Sequence, residues 1–240
     1  MTKKSNFQAD MQGEKILAGF MDKFFYNKLD ISNFKRFNAD SSVEDLNIQR
    51  DGIDLNFTFD NKRYIIDEKA SLHYPEGLPT FAFELKFKNS SNLWRDGWFI
   101  DNSKLTTHYL ISWVKRKSID LINLKEDDIN TVEVILLEKK KLKDFIEENY
   151  KLNNEGIKNQ VKSIISKNKF GQLHSIGDYK FPRFHYTPSN KLQETPINLV
   201  IHKKTLIKLS DFRFIVYRDR PYAKSDNSHL WLKSEFQINK

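Results

Sequence analysis

Across 240 residues the chain is 39% hydrophobic and 30% charged, has no cysteine, and carries a formal net charge of +8. The missing cysteines exclude a disulfide framework, thiolate-bound zinc, iron–sulfur clusters and a thiol nucleophile, and eight glycines with six prolines are too few for a collagenous or linker-dominated chain. No apolar run approaches the roughly eighteen residues of a membrane span, and none follows the basic start, so a globular, cytoplasmic protein without a membrane partner is predicted. The basic excess suits a polyanion such as nucleic acid, where phosphate contacts release counterions.

In chain order, DMQGEKILAGFMDKFFYNKL spaces Ile16, Phe20 and Phe24 at i, i+4 and i+8 with Leu17 and Met21 beside them. That pattern predicts an amphipathic helix which Asp10 would cap. From NFKRF onward the period changes. In DLNFTF, Leu55, Phe57 and Phe59 alternate with Asp54, Asn56 and Thr58, the mark of a half-buried strand. DNK supplies a turn, RYIIDEKA a second strand, TFAFELKF a third, and LTTHYLISWV a fourth strand or the start of a helix. Further on, TVEVILLE predicts a strand, KKKLKDFIEENY a helix with Leu142, Phe145 and Ile146 inward, and IKNQVKSIISKN a short helix. INLVIHKKTLIKL and FRFIVYR add strand and helix pieces. A helix followed by a run of strands fits an α/β or α+β core, with its sheet expected between residues 34 and 115.

RYIIDEKA runs three apolar or aromatic residues straight into Asp67, Glu68 and Lys69. If Asp60 and Asn61 form a two-residue turn, Phe59 pairs with Lys62, and counting outward sets Asp54 opposite Asp67. Side chains alternate along a strand, so Lys69 shares the face of Asp67 while Glu68 points the other way. Facing carboxylates repel unless a cation sits between them. Carboxylate oxygens are the hard ligands of Mg²⁺, with Mn²⁺ as a substitute, and substrate phosphate and water complete the octahedron. A neighbouring ammonium can orient the attacking water and stabilise charge building on phosphorus. Asp54, Asp67 and Lys69 therefore make a chemically sensible phosphodiesterase site. A three-residue turn would instead set Asp54 against Glu68, and an isolated D-x-K is equally an i,i+2 surface ion pair. TFAFELKF offers a rival, Glu84 with Lys86, in which Asp67 becomes the first acid. In the preferred register Glu84 is a further metal ligand or supporting acid on a neighbouring strand.

This arrangement resembles the PD-(D/E)XK nuclease superfamily, the restriction-endonuclease-like fold, in which a helix precedes a strand hairpin bearing the first acid and then (D/E)-x-K. The first acid matches Asp54 in RDGIDL, and the D-x-K matches Asp67 and Lys69 in IIDEKA; Ile53 stands where the motif has proline. The match spans about residues 10 to 115. The resemblance implies a central mixed β-sheet flanked by helices, with Asp54 and Asp67 binding Mg²⁺, Lys69 positioning the water, and Glu14 of GEKILAGF as an added metal-binding acid from the first helix. It implies a Mg²⁺-dependent DNA endonuclease of restriction, phage or mobile-element type acting on double-stranded DNA, for which a homodimer is a common assembly. Residues 1–115 would form the nuclease core, and residues 116–240 a C-terminal α/β extension that completes the fold and contacts substrate.

The six histidines show no H-x-x-x-H spacing, and no phosphate-cradling glycine loop or G-x-S-x-G occurs, which sets aside zinc, nucleotide and serine hydrolases. YKFPRFHY and RFIVYRDRPYAK interleave basic residues with aromatics, so Lys180, Arg183, Arg218 and Arg220 are expected nucleic-acid contacts. Gln49 and Asp51 are expected to support the metal or backbone, and Asp101, Trp94, Trp98 and Tyr109 to shape the cleft. The alternative is a non-catalytic nucleic-acid-binding or anti-defence protein on a nuclease-like fold.

Overall fold

The computed structural model describes residues 7–38, 42–117, 120–177, 179–187 and 192–237. Along the chain these form α1 (Phe7–Phe24), β1 (Ser32–Arg36), α2 (Val43–Arg50), β2 (Leu55–Phe59), β3 (Lys62–Ser71), β4 (Thr80–Lys88), β5 (Trp94–Asp96), β6 (His108–Arg116) and β7 (Ile129–Glu138). There follow α3 (Lys139–Tyr150), α4 (Asn154–Ser166), β8 (Leu173–Ile176), β9 (Tyr179–Tyr186), β10 (Ile197–His202), α5 (Lys203–Leu209), β11 (Phe212–Val216) and β12 (Pro221–Ala223). The protein is mixed α+β and divides into two compact units. One comprises Phe7–Leu78, Lys104–Lys139 and Leu209–Lys240; the other is built from Pro79–Ser103 and Lys140–Lys208. Each unit draws on both sides of residue 115, so the division expected there is not the one by which the chain packs.

The first unit holds a seven-stranded mixed sheet in the order β1-β2-β3-β6-β7-β11-β12. Its strand pairs are antiparallel except β3 with β6, which run parallel. Parallel neighbours need a long crossover, and here residues 72–107 supply it by way of β4 and β5. α1 covers the sheet with the stripe its sequence announces: Leu17, Phe20 and Met21 are buried against Leu55, Phe57, Tyr64 and Ile66. Each fully buried side chain of this size contributes roughly 1.5–3 kcal/mol. The helix starts earlier than its periodicity indicates, so Asp10 lies in the first turn rather than at the cap, where it favours the helix dipole and meets His73 Nε2 at 2.7 Å. β6 is buried on both faces, which explains why YLISWV carries apolar residues at successive positions rather than at alternate ones. α2 went unread in the sequence because it buries no residue. It is instead started by Ser42, whose side chain accepts the Asp45 N–H at 3.0 Å.

The second unit holds a five-stranded antiparallel sheet in the order β5-β4-β10-β9-β8. β4 alternates as predicted, with Phe81, Phe83 and Leu85 buried and Ala82 exposed, but its partners are β5 and β10 rather than β3. The single sheet expected over residues 34 to 115 is therefore two sheets. Among the described residues no helix is long and apolar enough to cross a membrane.

Candidate active site

Asp60 and Asn61 have φ of 47° and 58°, so both central residues of the β2–β3 turn are left-handed, as a two-residue type I′ hairpin demands. The ladder follows in the register this dictates, from Phe59 opposite Lys62 to Leu55 opposite Ile66. At the end of the ladder the Asp54 N–H donates to the Ile66 carbonyl at 2.9 Å, so Asp54 and Leu55 both face Ile66 and the regular ladder does not run on to a further rung. The Asp54–Asp67 rung counted from the turn is replaced by this irregularity, but the two carboxyl groups remain neighbours, since Asp67 acts on Asp54 both by its charge and by a side-chain hydrogen bond, and the slipped register that would pair Asp54 with Glu68 is not adopted. The Asp54 carboxylate is also fixed by the main chain of the opposing strand, since Oδ2 accepts the Glu68 N–H at 2.7 Å.

Lys69 Nζ lies 2.6 Å from Asp67 Oδ1, with the two side chains 27% and 6% exposed. Asp54 and Lys69 open onto a cavity of about 400 Å³ whose α1 wall includes Glu14. Burial and the neighbouring Asp67 charge push the Asp54 carboxyl up to about 6, against the opposing pull of Lys69. Burial alone would lower the Lys69 ammonium, but Asp67 and Asp54 raise it above its ordinary value, so it stays charged. Glu14 is raised by burial and by Asp54, with Lys69 opposing. Tyr109, directly across the β3–β6 ladder from Asp67, is raised by burial and by that carboxylate. No protein-family model, curated protein or solved structure matches the chain.

An apposed carboxylate pair with one member pushed toward neutrality is the donor chemistry that a divalent cation satisfies. Mg²⁺ is commonly held by one or two carboxylates plus waters and substrate phosphate. Asp54 and Asp67 fit that open mode. A closed protein cage is not present, because among the described residues no three His, Asp or Glu side chains stand together as a ready ligand set. Glu14 shares the cavity without joining Asp54 and Asp67 in such a set.

Glu68, on the opposite face from Asp67 as its alternation predicts, is not idle. It accepts the Tyr26 hydroxyl at 2.6 Å and pairs with the Arg36 guanidinium, whose Nη2 reaches Asp22 Oδ1 at 2.8 Å. Burial would lower Arg36, and Glu68 with Asp22 raises it further than burial can offset. This Asp22–Arg36–Glu68–Tyr26 group lines or borders the same cavity and ties β1, α1 and β3 together. Sequence spacing gave little sign of it, because its four members come from separate elements. The one available cue was Arg36 in NFKRF, a charge at the inner end of an otherwise exposed edge strand.

The other predicted residues are distributed more widely. Glu84 and Lys86 lie on β4 in the five-stranded sheet; Lys86 Nζ pairs with Asp96 at 2.7 Å, and no β3–β4 ladder exists to support the rival register. Trp94 and Trp98 are in that unit too, in ring contact with Tyr186 and Phe83, and Asp101 accepts the Ser103 N–H of its own turn. Gln49 lines the site cavity and donates to the Phe37 carbonyl at 2.9 Å, whereas Asp51 closes α2. Lys180 and Arg183 lie on β9. Arg218 is committed to Asp127 at 2.7 Å and to the Glu126 carbonyl, a brace for the turn before β7, and Arg220 stacks on Tyr222.

Proposed function

We propose that the protein is a Mg²⁺-dependent nuclease, a DNA endonuclease of restriction or mobile-element type, hydrolysing phosphodiester bonds at Asp54, Asp67 and Lys69. The observation that supports this reading is the meeting of the Asp54 and Asp67 carboxyl groups at the end of the β2–β3 hairpin, with Lys69 Nζ 2.6 Å from the latter. Asp54 and Asp67 would hold the metal, which supplies charge neutralisation at the phosphate and a more acidic bound water.

The protein's own groups divide the remaining work. Lys69, kept cationic by its two acids, serves by orienting water and countering phosphorane charge rather than as a general base. The Glu68 N–H fixes Asp54, and the Arg36 group fixes Glu68, so the two strands bearing the acids are held in one register. Because Asp54 retains its proton up to about pH 6, ligation by this carboxylate and any cleavage that depends on it should rise with pH through that value.

Plasmid and single-stranded DNA are to be incubated with wild type, Lys69→Ala and Asp67→Asn, with Mg²⁺ and with EDTA. Mg²⁺-dependent cleavage by wild type alone is the expected result. Cleavage retained in both variants overturns the site, and binding without cleavage by folded wild type selects the non-catalytic alternative.

A further inference from the structure

The charge of the chain is not spread evenly. In Pro79–Ser103 and Lys140–Lys208, Lys and Arg exceed Asp and Glu by eight, and over the rest of the chain they are equal, so the formal net charge of +8 belongs entirely to these two segments. They build the five-stranded unit, not the one that carries Asp54, Asp67 and Lys69.

That unit has a sheet with two unlike faces. Thr80 opposite His202, Ala82 and Arg183 opposite the buried Val200, and Glu84 and His185 opposite Asn198 put these residues on one face, since directly paired residues point the same way. The other face carries Phe81, Phe83, Phe184, Leu199 and Ile201, all buried. On the first face Ala82 and Ser175 are exposed, and Leu173 is 52% exposed at its β8 margin. On it the Arg183 guanidinium lies 4.6 Å over the Phe181 ring, and the His202 ring meets Phe181 edge-on at 5.5 Å. The His202 Nδ1 accepts the Lys204 N–H, which leaves its outer nitrogen as the donor. Among the described residues the buried Arg183 Nε has no hydrogen-bond partner and no carboxylate pairs with the group. A guanidinium held by a ring rather than by an acid keeps its terminal N–H groups for a phosphate.

We propose that this part-exposed face of the five-stranded sheet is a platform for single-stranded nucleic acid, with Arg183 taking phosphate and Phe181 and His202 taking unpaired bases. Flat sheet faces offer rings to bases that are free to stack, whereas a duplex keeps its bases stacked on one another and would use only the charge. The segregated excess of eight cations supplies the sequence-independent attraction. The inference goes beyond cleavage and stands without it.

The test is fluorescence anisotropy of the full chain carrying Lys69→Ala, in EDTA, with a labelled oligothymidine single strand, a duplex of equal length and polyglutamate as competitors. The single strand should bind in preference, Phe181→Leu and Arg183→Gln should each weaken it about tenfold, and Arg183→Lys should retain most of it. Arg183→Gln should also reduce the salt slope by about one ion. Binding unchanged in Phe181→Leu and Arg183→Gln, with Arg183→Lys confirming a folded chain, overturns the platform, as does equal binding of duplex or displacement by polyglutamate. The two proposals fail separately: cleavage by wild type with no effect of the face variants leaves the nuclease alone, and face-dependent binding with no cleavage leaves the platform alone.

Discussion

Replacing Asp54 with asparagine isolates the strain of the carboxylate pair. In the folded protein Asp54 holds its proton up to about 6, while in the unfolded chain it releases it near its ordinary 3.8. A raised folded value means that the contribution to stability is fully present below 3.8 and is lost as pH rises through about 6. Each pH unit between the two values corresponds to about 1.4 kcal/mol, so the loss amounts to at most about 3 kcal/mol, reduced by the solvent contact that Asp54 keeps. Asparagine imitates the neutral acid, and its carbonyl still accepts the Glu68 N–H. In EDTA, Asp54→Asn should therefore match wild type near pH 4 and exceed it by up to about 3 kcal/mol near pH 7.5, read from urea midpoints at each pH. Mg²⁺ should then stabilise wild type at the higher pH by the usual binding linkage and leave Asp54→Asn nearly unmoved. A gap between the two proteins that does not widen with pH would refute the reasoning, whatever the effect on cleavage.

Other outcomes can be checked alongside. Arg36→Met strips the counter-charge from Asp22 and Glu68, each partly buried, and should cost about 2–3 kcal/mol in urea unfolding; a cost below about 0.5 kcal/mol would mark the group as an ordinary surface pair. His108 is 2% exposed, and burial with the Lys62 charge holds it down to about 4. It is neutral when folded and takes a proton near 6.5 when unfolded, so its stabilisation is present above 6.5 and lost as pH falls through about 4. His108→Phe should remove about 3 kcal/mol of acid sensitivity, visible in melts across that range. A Cβ on Gly97 would come within 2.5 Å of the Glu84 carbonyl oxygen, so Gly97→Ala should push β5 off β4 at a cost of about 1–3 kcal/mol, detectable by unfolding and by tryptophan emission. Ser42→Ala should cost about 1 kcal/mol through the lost α2 cap.

The site hairpin was legible because its information is local. Two residues suited to left-handed backbone between two alternating runs fix the register from Phe59–Lys62 to Leu55–Ile66, which brings Asp54 up to the strand that carries Asp67 with no knowledge of the rest of the chain, whereas the irregularity at Asp54 itself has no local sign. The first helix was legible for the same reason, as its stripe of Leu17, Phe20 and Met21 has one period throughout. What escaped was long-range pairing. TFAFELKF has the alternation of a strand, but nothing in its own residues says that it pairs with INLVIH, more than a hundred positions later, rather than with RYIIDEKA. Glu84 was placed beside the site on that account. Alternation turns Glu68 away from Asp67 but does not report what waits on that face, because Arg36, Asp22 and Tyr26 arrive from other elements.

The threading of the two sheets bears on how the gene can be cut. The chain leaves the first unit after Leu78, returns at Lys104, leaves again after Lys139 and returns at Leu209. A fragment ending near residue 115 would strip β7 from β6 and β10 from β4, leaving each sheet with a raw edge where its central ladder had been. Removing either excursion by itself has the same result for the five-stranded sheet, since β4 comes from one and β10 from the other. The smallest portable form of the Asp54–Asp67–Lys69 hairpin is therefore not a stretch of sequence, and the two excursions can be shortened, exchanged or lost only as a pair.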